Sequence, residues 1–469
     1  MVPARADVRD HAIHYFTDFI ILLRGNDKIV GVAEKKILII TYYWPPSGGS
    51  GVQRWLKFVK YLPSFGWKPY IFTPENPSFA IRDESLAKNV PAEAEVIHFP
   101  IWEPYDIFFK AARLFGHNKR EAKPTELVQL ENPSLFQRIS TWIRANFFIP
   151  DPRIFWVKPS VKFLQAFLQQ ENIGMIITTG PPHSMHLIGY RLKKNNRALT
   201  WVADFRDPWS RWDLLDTFKL SKVAAAAHRR LEYKVLSTAD VVISVTPSFV
   251  KGFEALGNRH VHLITNGYDE EDFASLSYHK PAKFIIRHVG IVNEKCDPRP
   301  FMRAVRELLQ THADFSRLVE VEFNGEVHPD FKRFIESDPE LKRITNLTGN
   351  IPHAKIISLY GSTALLALIM TGYKDTGIIP GKVFEYLATG LPIISVGNVE
   401  GDAAVFLKQT GTARVFESDE YEKIKASLLK SFSEWQSHPG AYPRDDCADK
   451  YSRRALTSRL SQLLESYIV

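Results

Sequence analysis

The residues Lys35-Lys-Ile-Leu-Ile-Ile-Thr-Tyr-Tyr-Trp44 form an almost continuous apolar run that stops at Pro45-Pro46-Ser47-Gly48-Gly49-Ser50-Gly51. A strand without polar alternation is buried on both faces, and such strands belong to parallel sheets covered by helices on each side. The run therefore predicts an α/β fold that opens with a strand, a glycine-rich loop and a helix. Val52, Trp55, Leu56, Val59 and Leu62 recur at helical spacing up to Pro63, and Pro69-Tyr-Ile-Phe-Thr-Pro74 supplies the next strand.

The alternation continues through Glu95–Phe99, Gly174–Thr178, Leu199–Ala203, Asp240–Val245 and His260–Ile264, with helix-length segments between most of them. A polar stretch from Asp269 to Lys283 follows. A second series then begins at Phe284–Val289 and continues through Val319–Phe323, Leu365–Met370 and Pro392–Val396. The pattern predicts two doubly wound, Rossmann-like domains: residues 35–275 and 276–445, preceded by an extension over 1–34. Residues 446–469 place Leu456, Leu460, Leu463, Leu464, Tyr467 and Ile468 on one face of a helix, which is expected to pack across both domains.

At 469 residues, with 45% apolar and 24% charged residues, the chain can bury substantial cores and is neither disordered, fibrous nor a single small module. Its two cysteines, Cys296 and Cys447, make no disulfide framework, and no Cys/His spacing suits zinc, which points to a reducing compartment. The most apolar N-terminal stretch, Tyr15 to Leu23, is short, and Asp18 interrupts it, so no membrane-spanning helix is expected. A formal net charge of +8 favours an anionic substrate or surface. Between Glu103 and Lys158, nine Lys/Arg against six Asp/Glu are interleaved with Phe108, Phe109, Phe115, Phe147 and Phe148. That mixture suits an anionic membrane interface, and equally suits helices packed on a sheet with solvated charges.

Three places carry candidate chemistry. The loop Ser47-Gly48-Gly49-Ser50-Gly51 lets backbone N–H groups and a helix N-terminus approach a phosphate, although it also reads as a simple tight turn. In Ile378–Val396, Pro380-Gly381 open a helix and Thr389-Gly390 close it, with Lys382 and Glu385 sharing a face. An ammonium there favours a diphosphate while a carboxylate accepts from sugar hydroxyls; the alternative is a surface ion pair. His183 lies just past the C-terminal end of a predicted strand and could hydrogen-bond a sugar hydroxyl, although a lone loop histidine also reads as simply solvated; Asp204, Arg206 and Asp207 follow the next strand at the same edge. A carboxylate at that edge could take the proton of an attacking hydroxyl; a helix cap at Asp207 and an internal Asp/Arg pair are the plain structural alternatives. Asn266-Gly267 suits a hinge or a turn.

Taken in order, Tyr42–Gly51, Thr179-Gly-Pro-Pro-His-Ser-Met-His186, Ala203–Trp209, Thr265-Asn-Gly-Tyr-Asp269, Gly290–Pro300 and Gly381–Pro392 give the chain a resemblance to GT-B glycosyltransferases of the family 4 type, particularly bacterial enzymes of surface-polysaccharide synthesis. The resemblance covers Lys35 to the C-terminus. It implies a nucleotide sugar held mainly by the second domain and a saccharide or lipid-linked acceptor held by the first. Transfer between them would retain anomeric configuration, with no metal, no cofactor beyond the donor and no nucleic-acid partner. It carries ribose binding onto Glu385, diphosphate contact onto Lys382 and the Gly48, Gly49, Ser50 and Gly51 loop, and nucleobase contact onto the backbone from Gly349 to Ile351. It also implies a cytoplasmic enzyme peripheral to the inner face of the plasma membrane.

The sequence departs from the family pattern in three places. Gly377, with Asp375 and Thr376 beside it, stands where many members carry a glutamate. Cys296 replaces a usual basic residue, with Lys295 and Arg299 as substitutes, and Thr179-Gly180 occupies the loop where a histidine is common. Two other functions stay open: a nucleotide-sugar epimerase of the same architecture, and a catalytically silent scaffold that binds saccharide or membrane. A nicotinamide oxidoreductase is disfavoured because the first loop lacks the dinucleotide fingerprint.

Overall fold

The computed structural model describes residues 34–79, 81–103, 135–211, 215, 218–257, 260–370, 377–437 and 446–468. The N-terminal extension before residue 34, much of the basic aromatic segment, Asp375 and Thr376 lie outside the described residues. Residues Lys36–Val469 make one compact unit built on two parallel sheets.

The first sheet holds β1 (Lys35–Ile40), β2 (Trp67–Pro74), β3 (Glu95–Phe99), β4 (Met175–Gly180), β5 (Thr200–Phe205), β6 (Val241–Ser244) and β7 (Val261–Leu263), in the order β3-β2-β1-β4-β5-β6-β7. Its helices are α1 (Ser50–Tyr61), α2 (Leu135–Phe147), α3 (Ile154–Gln170), α4 (Ser184–Asn195), α5 (Lys222–Thr238) and α6 (Pro247–Ala255). Strand β1 shows why the opening run lacks alternation. Leu38 and Ile40 enter one core with Trp156, Ile188 and Trp201, while Ile37 and Ile39 enter the core on the other face with Trp55, Phe58 and Leu460.

After α7 (Glu270–Phe273), the second sheet contains β8 (Phe284–Val289), β9 (Val319–Asn324), β10 (Thr345–Leu347), β11 (Leu365–Ile369), β12 (Ile393–Val396) and β13 (Ala413–Phe416), in the order β10-β9-β8-β11-β12-β13. Helices α8 (Arg299–Thr311), α9 (Ala313–Leu318), α10 (Pro329–Glu336), α11 (Pro339–Ile344), α12 (His353–Tyr360), α13 (Gly381–Thr389), α14 (Asp402–Thr410) and α15 (Tyr421–Ser437) surround it, and α16 (Arg453–Glu465) ends the fold. Strand β11 repeats the logic of β1: Leu365, Ala367 and Ile369 face one core, Leu366 and Leu368 the other.

Strand order reverses between β1 and β4, and again between β8 and β11. At such a switch point the loops leaving neighbouring strands diverge and leave a crevice at the carboxyl edge. The Gly48–Gly51 loop and the 181–183 turn flank the first crevice; Gly290 and the approach to α13 flank the second.

The C-terminal segment reaches both halves, as expected. Helix α16 itself packs on the first sheet, with Leu456, Leu460 and Leu464 buried against α1. The preceding turn reaches the second sheet: Ala448 is in its core, and the Tyr451 ring lies 4.8 Å from Phe406 and 5.8 Å from Phe384. The segment spans both halves, but by dividing the work between turn and helix.

Candidate functional site

Helix α13 positions the pair singled out in the sequence. Pro380 is its N-cap and Gly390, at φ 69°, closes it in the left-handed conformation that glycine adopts without strain. Tyr386 locks the helix to the sheet by accepting a hydrogen bond from Val289 N at 2.9 Å. This register brings Lys382, in the first turn, over the chain where it leaves β8. A Cβ at Gly290 would lie 3.1 Å from Lys382 Nζ, and Gly290 itself has φ 119°. The glycine is favoured by its backbone angle, and its lack of a side chain leaves room for the ammonium above it.

Lys382 Nζ lies 3.3 Å from His288 Nε2, and His288 Nδ1 lies 3.0 Å from the Ala367 carbonyl. The carbonyl can only accept, which places the ring proton on Nδ1 and leaves Nε2 as an acceptor for the ammonium. Burial pushes Lys382 down to about 8, with Cys296 and Glu385 partly opposing it. Burial and the neighbouring Lys382 hold His288 well below the usual imidazole range. The result is a cation in a low-dielectric pocket faced by a neutral ring.

Glu385 stands one turn on and is oriented by two donors. His353 Nε2 is 3.0 Å from its Oε1, and the buried Tyr360 hydroxyl donates to Oε2 at 3.3 Å. The hydrogen bond to Glu385 raises His353 above its ordinary value, against desolvation. His353 opens α12 directly after the Gly349–Ile351 loop, so the stretch assigned to nucleobase contact leads straight to the Glu385 carboxylate. Gly349 has φ 68°, Asn350 donates to Glu326 at 2.8 Å, and Ile351 packs on the core around α13.

Lys295 and Arg299 are placed differently from Lys382. Arg299 donates from Nε to both oxygens of Asp297 at 2.8 Å on an exposed surface. Lys295 N donates to Asn293, in an exposed turn. Of this loop, Cys296 is the residue that acts electrostatically on Lys382.

At the first sheet's edge, Gly48 N donates to Ile81 O at 2.9 Å, and a Cβ at Gly48 would lie 2.8 Å from the Ile81 side chain. Gly49, at φ 85°, is the N-cap of α1, whose first residue is Ser50. Gly51 O accepts from Arg206 Nη1 at 2.7 Å; the same guanidinium donates to Gly180 O at 3.3 Å and to Pro181 O. One side chain thus laces the glycine loop to the turn leaving β4.

His183 is 7% exposed, stacks flat on Trp209 with centroids 4.9 Å apart, and has no hydrogen-bond partner on either ring nitrogen. His186 lies beside it, bonded through Nδ1 to Thr178 at 2.9 Å, and burial pushes it down to about 3. Gly180 keeps both rings close, because a Cβ there would lie 2.5 Å from His186 Nε2.

Asp204, expected at this edge as a reacting carboxylate, is fully buried. Its oxygens accept from Arg54 Nη2 at 3.0 Å, Trp55 Nε1 at 2.7 Å and Thr179 Oγ1 at 2.8 Å, so it ties α1 to β4 and β5. Asp207 differs. It is half-buried, burial raises it above the usual carboxylate range against the pull of Arg206, and it has no hydrogen-bond partner among the described residues. No helix begins at Asp207.

Gly377 has a packing reason. A Cβ there would lie 2.5 Å from the Phe249 ring, so the backbone seats directly against α6. Nearby, Ser248 donates from N and from Oγ to Asp402 at 2.9 and 2.8 Å, joining α6 to α14 across the two sheets. Among the described residues no group of three or more His, Cys, Asp or Glu is arranged to hold a metal ion.

No protein-family model matches the sequence, and no curated protein sequence matches it. The backbone does match solved structures. A sucrose-phosphate synthase from Thermosynechococcus elongatus superposes with a TM-score of 0.56 at 13% identity, over 92% of this chain and 98% of its own. The lipopolysaccharide outer core galactosyltransferase WaaB gives 0.54 at 12% identity, over 92% and 100%. A proposed UDP-N-acetylglucosamine 2-epimerase from Listeria monocytogenes gives 0.52 at 12%, over 93% and 97%. This chain has the GT-B fold. In GT-B terms, the Gly48–Gly51 loop and the Lys382–Glu385 helix belong to the switch points of opposite sheets. Several residues now in view carried no sequence signal: Arg54, His288, His353 and Tyr360 each read as ordinary members of an apolar or amphipathic segment.

Proposed function

We propose that the chain is a glycosyltransferase that moves a sugar from a nucleotide-diphosphate donor to a saccharide or lipid-linked acceptor in cell-surface polysaccharide synthesis. The observation that carries this reading is α13, which offers a half-buried ammonium and a pre-oriented carboxylate one turn apart at a switch point of the sheet. Lys382 and the free N–H groups at the start of α13 take the diphosphate, while Glu385 accepts from the ribose hydroxyls, with the base along Gly349–Ile351.

As the bond from the anomeric carbon to the diphosphate breaks, negative charge gathers on the departing oxygen. Lys382 and the helix N-terminus stabilise it without a metal. The acceptor hydroxyl forms the new bond to that carbon and gives up its proton. Asp207 is the carboxylate of the first edge suited to take it, and His183 lies within the same turn region to orient the acceptor. Asp204 has a structural duty in this scheme. Retention of configuration and independence of metal rest on the family resemblance.

The exposed rings Trp102, Trp142, Phe147 and Phe155 and the exposed Ile139, beside the exposed cations Arg138, Lys158 and Lys162, support peripheral contact with an anionic bilayer, which the family resemblance would place on the cytoplasmic side. No helix among the described residues is long and apolar enough to cross a membrane.

Thermal melts with UDP, GDP and ADP, followed by mass analysis of sugar transferred to a lipid extract, test the proposal. A rise in melting temperature with one nucleotide, transfer that depends on acceptor, and loss of both in Glu385→Ala are expected. Conversion of the donor without acceptor would favour the epimerase reading instead. Donor binding without turnover would favour a silent scaffold, and failure of every nucleotide to bind would sink the donor site.

A further inference from the structure

Helix α16 begins with two arginines in contrasting positions. Arg454 is half exposed, donates to Glu270 at 3.3 Å, and lies 4.8 Å over the Tyr61 ring. Arg453 is 5% exposed; its Nη1 is buried without a partner, and its side chain makes no hydrogen bond or ion pair among the described residues.

The backbone fixes where this side chain starts. Arg453 N donates to Tyr268 O at 2.8 Å, Tyr268 N donates to Tyr451 O at 3.2 Å, and Ser452 pairs with Tyr268 in a parallel bridge. The Ser452 hydroxyl caps α16 by accepting from Ala455 N at 3.1 Å. Here the chain leaving the first sheet meets the chain returning from the second. The charged groups within electrostatic reach of the guanidinium are Arg54, Asp269 and Glu385.

Each of those neighbours is already engaged. Asp269 accepts from Lys57 at 2.5 Å, Lys60 at 2.8 Å and Tyr61 at 2.5 Å. Glu385 accepts from His353 and Tyr360. Arg54 donates to Asp204 and to the carbonyls of Ile264 and Thr265, both at 2.9 Å. The site closes its accounts with one cation left over. A guanidinium withdrawn from water without a hydrogen-bonded anion destabilises a fold, and an apolar side chain of similar volume would serve packing better. Burial, with Arg54 beside it, pushes Arg453 down to about 9 against the opposing pull of Asp269 and Glu385.

We propose that Arg453 is a donor-binding residue whose guanidinium, at the start of α16 and within electrostatic reach of Glu385, takes an anionic oxygen of the nucleotide diphosphate. The inference rests on the donor-site reading of Lys382 and Glu385. It adds a recognition group from the C-terminal helix, far in sequence from α13.

Calorimetric titration of the full chain and of Arg453→Met and Arg453→Lys with UDP, GDP and ADP, and with the nucleoside matching the tightest of them, tests it. Arg453→Met is expected to weaken the diphosphate roughly tenfold to a hundredfold while leaving nucleoside affinity unchanged, with Arg453→Lys between it and the parent. Without ligand, Arg453→Met is expected to melt at or above the parent's temperature, because an unpaired buried charge has been removed. A purely structural arginine predicts the reverse: a lower melting temperature with diphosphate affinity intact, which would overturn the inference and leave the donor site standing. If Arg453→Met does not fold, the structural role is favoured, unless Arg453→Lys folds and shows the selective loss for the diphosphate. If the parent binds none of the three nucleotides, the donor-site reading falls and this inference with it.

Discussion

Lys382 faces the one lone pair that His288 can offer it, in a pocket that favours the neutral amine. Its value near 8 lies below the ordinary 10.5. Between about pH 8 and 10.5 the unfolded chain therefore holds a proton that the folded, unliganded protein has released, and this group contributes stability that rises with pH through that window. A bound diphosphate favours the ammonium and reverses the preference. At pH 9 binding is expected to draw up to about one proton from solution, and affinity to fall as pH rises above 8. Titrations in buffers of different ionisation enthalpy measure the uptake, and Lys382→Met removes it; uptake that persists in that variant would place the proton elsewhere. The sequence showed Lys382 and Glu385 on one face because residues three apart share a face of any helix. It could not show that Asp204 is spent on Arg54, 150 positions away, or that Arg453 lies buried. Burial of a charge depends on what other elements bring to it.

At the scale of elements, the central strands β1, β4, β5, β6, β11 and β12 were legible as mainly apolar runs buried on both faces. Strands β10 and β13 were not. Thr345-Asn-Leu347 and Ala413-Arg-Val-Phe416 are sheet edges, short and only partly buried, and an edge strand needs no continuous apolar stretch. Helices α2 and α3 carry a prediction of their own. Phe147 is 70% exposed with its ring 6.0 Å from Trp142, and Trp102 stacks edge-on against Phe155 at 4.9 Å. If this face seats on lipid, Phe147→Glu is expected to weaken co-sedimentation with phosphatidylglycerol vesicles roughly tenfold or more, with no change in melting temperature, since the ring is already in water. Equal loss of binding to uncharged vesicles would show that Arg138, Lys158 and Lys162 have no part in it.

Across the whole molecule, the two sheets are joined where α6 meets α14 and where Gly377 lies against Phe249. Ser248 and Asp402 form the hydrogen-bonded part of that seam, and a double-mutant cycle with Ser248→Ala and Asp402→Ala is expected to return a coupling of about 0.5–3 kcal/mol in unfolding. A value near zero would mean that the seam is not closed in solution. The doubly wound architecture followed from alternation of apolar runs and helices, whereas the seam depends on a missing side chain at 377 that sequence alone presents as a gap in a motif. Arg206 has a comparable reach within the first half, since its guanidinium holds Gly51 on one side and Gly180 and Pro181 on the other. Neither loop can shift without the other feeling it. If the glycine loop holds the donor's phosphates and the turn after β4 holds the acceptor, as proposed, this tether couples the two berths.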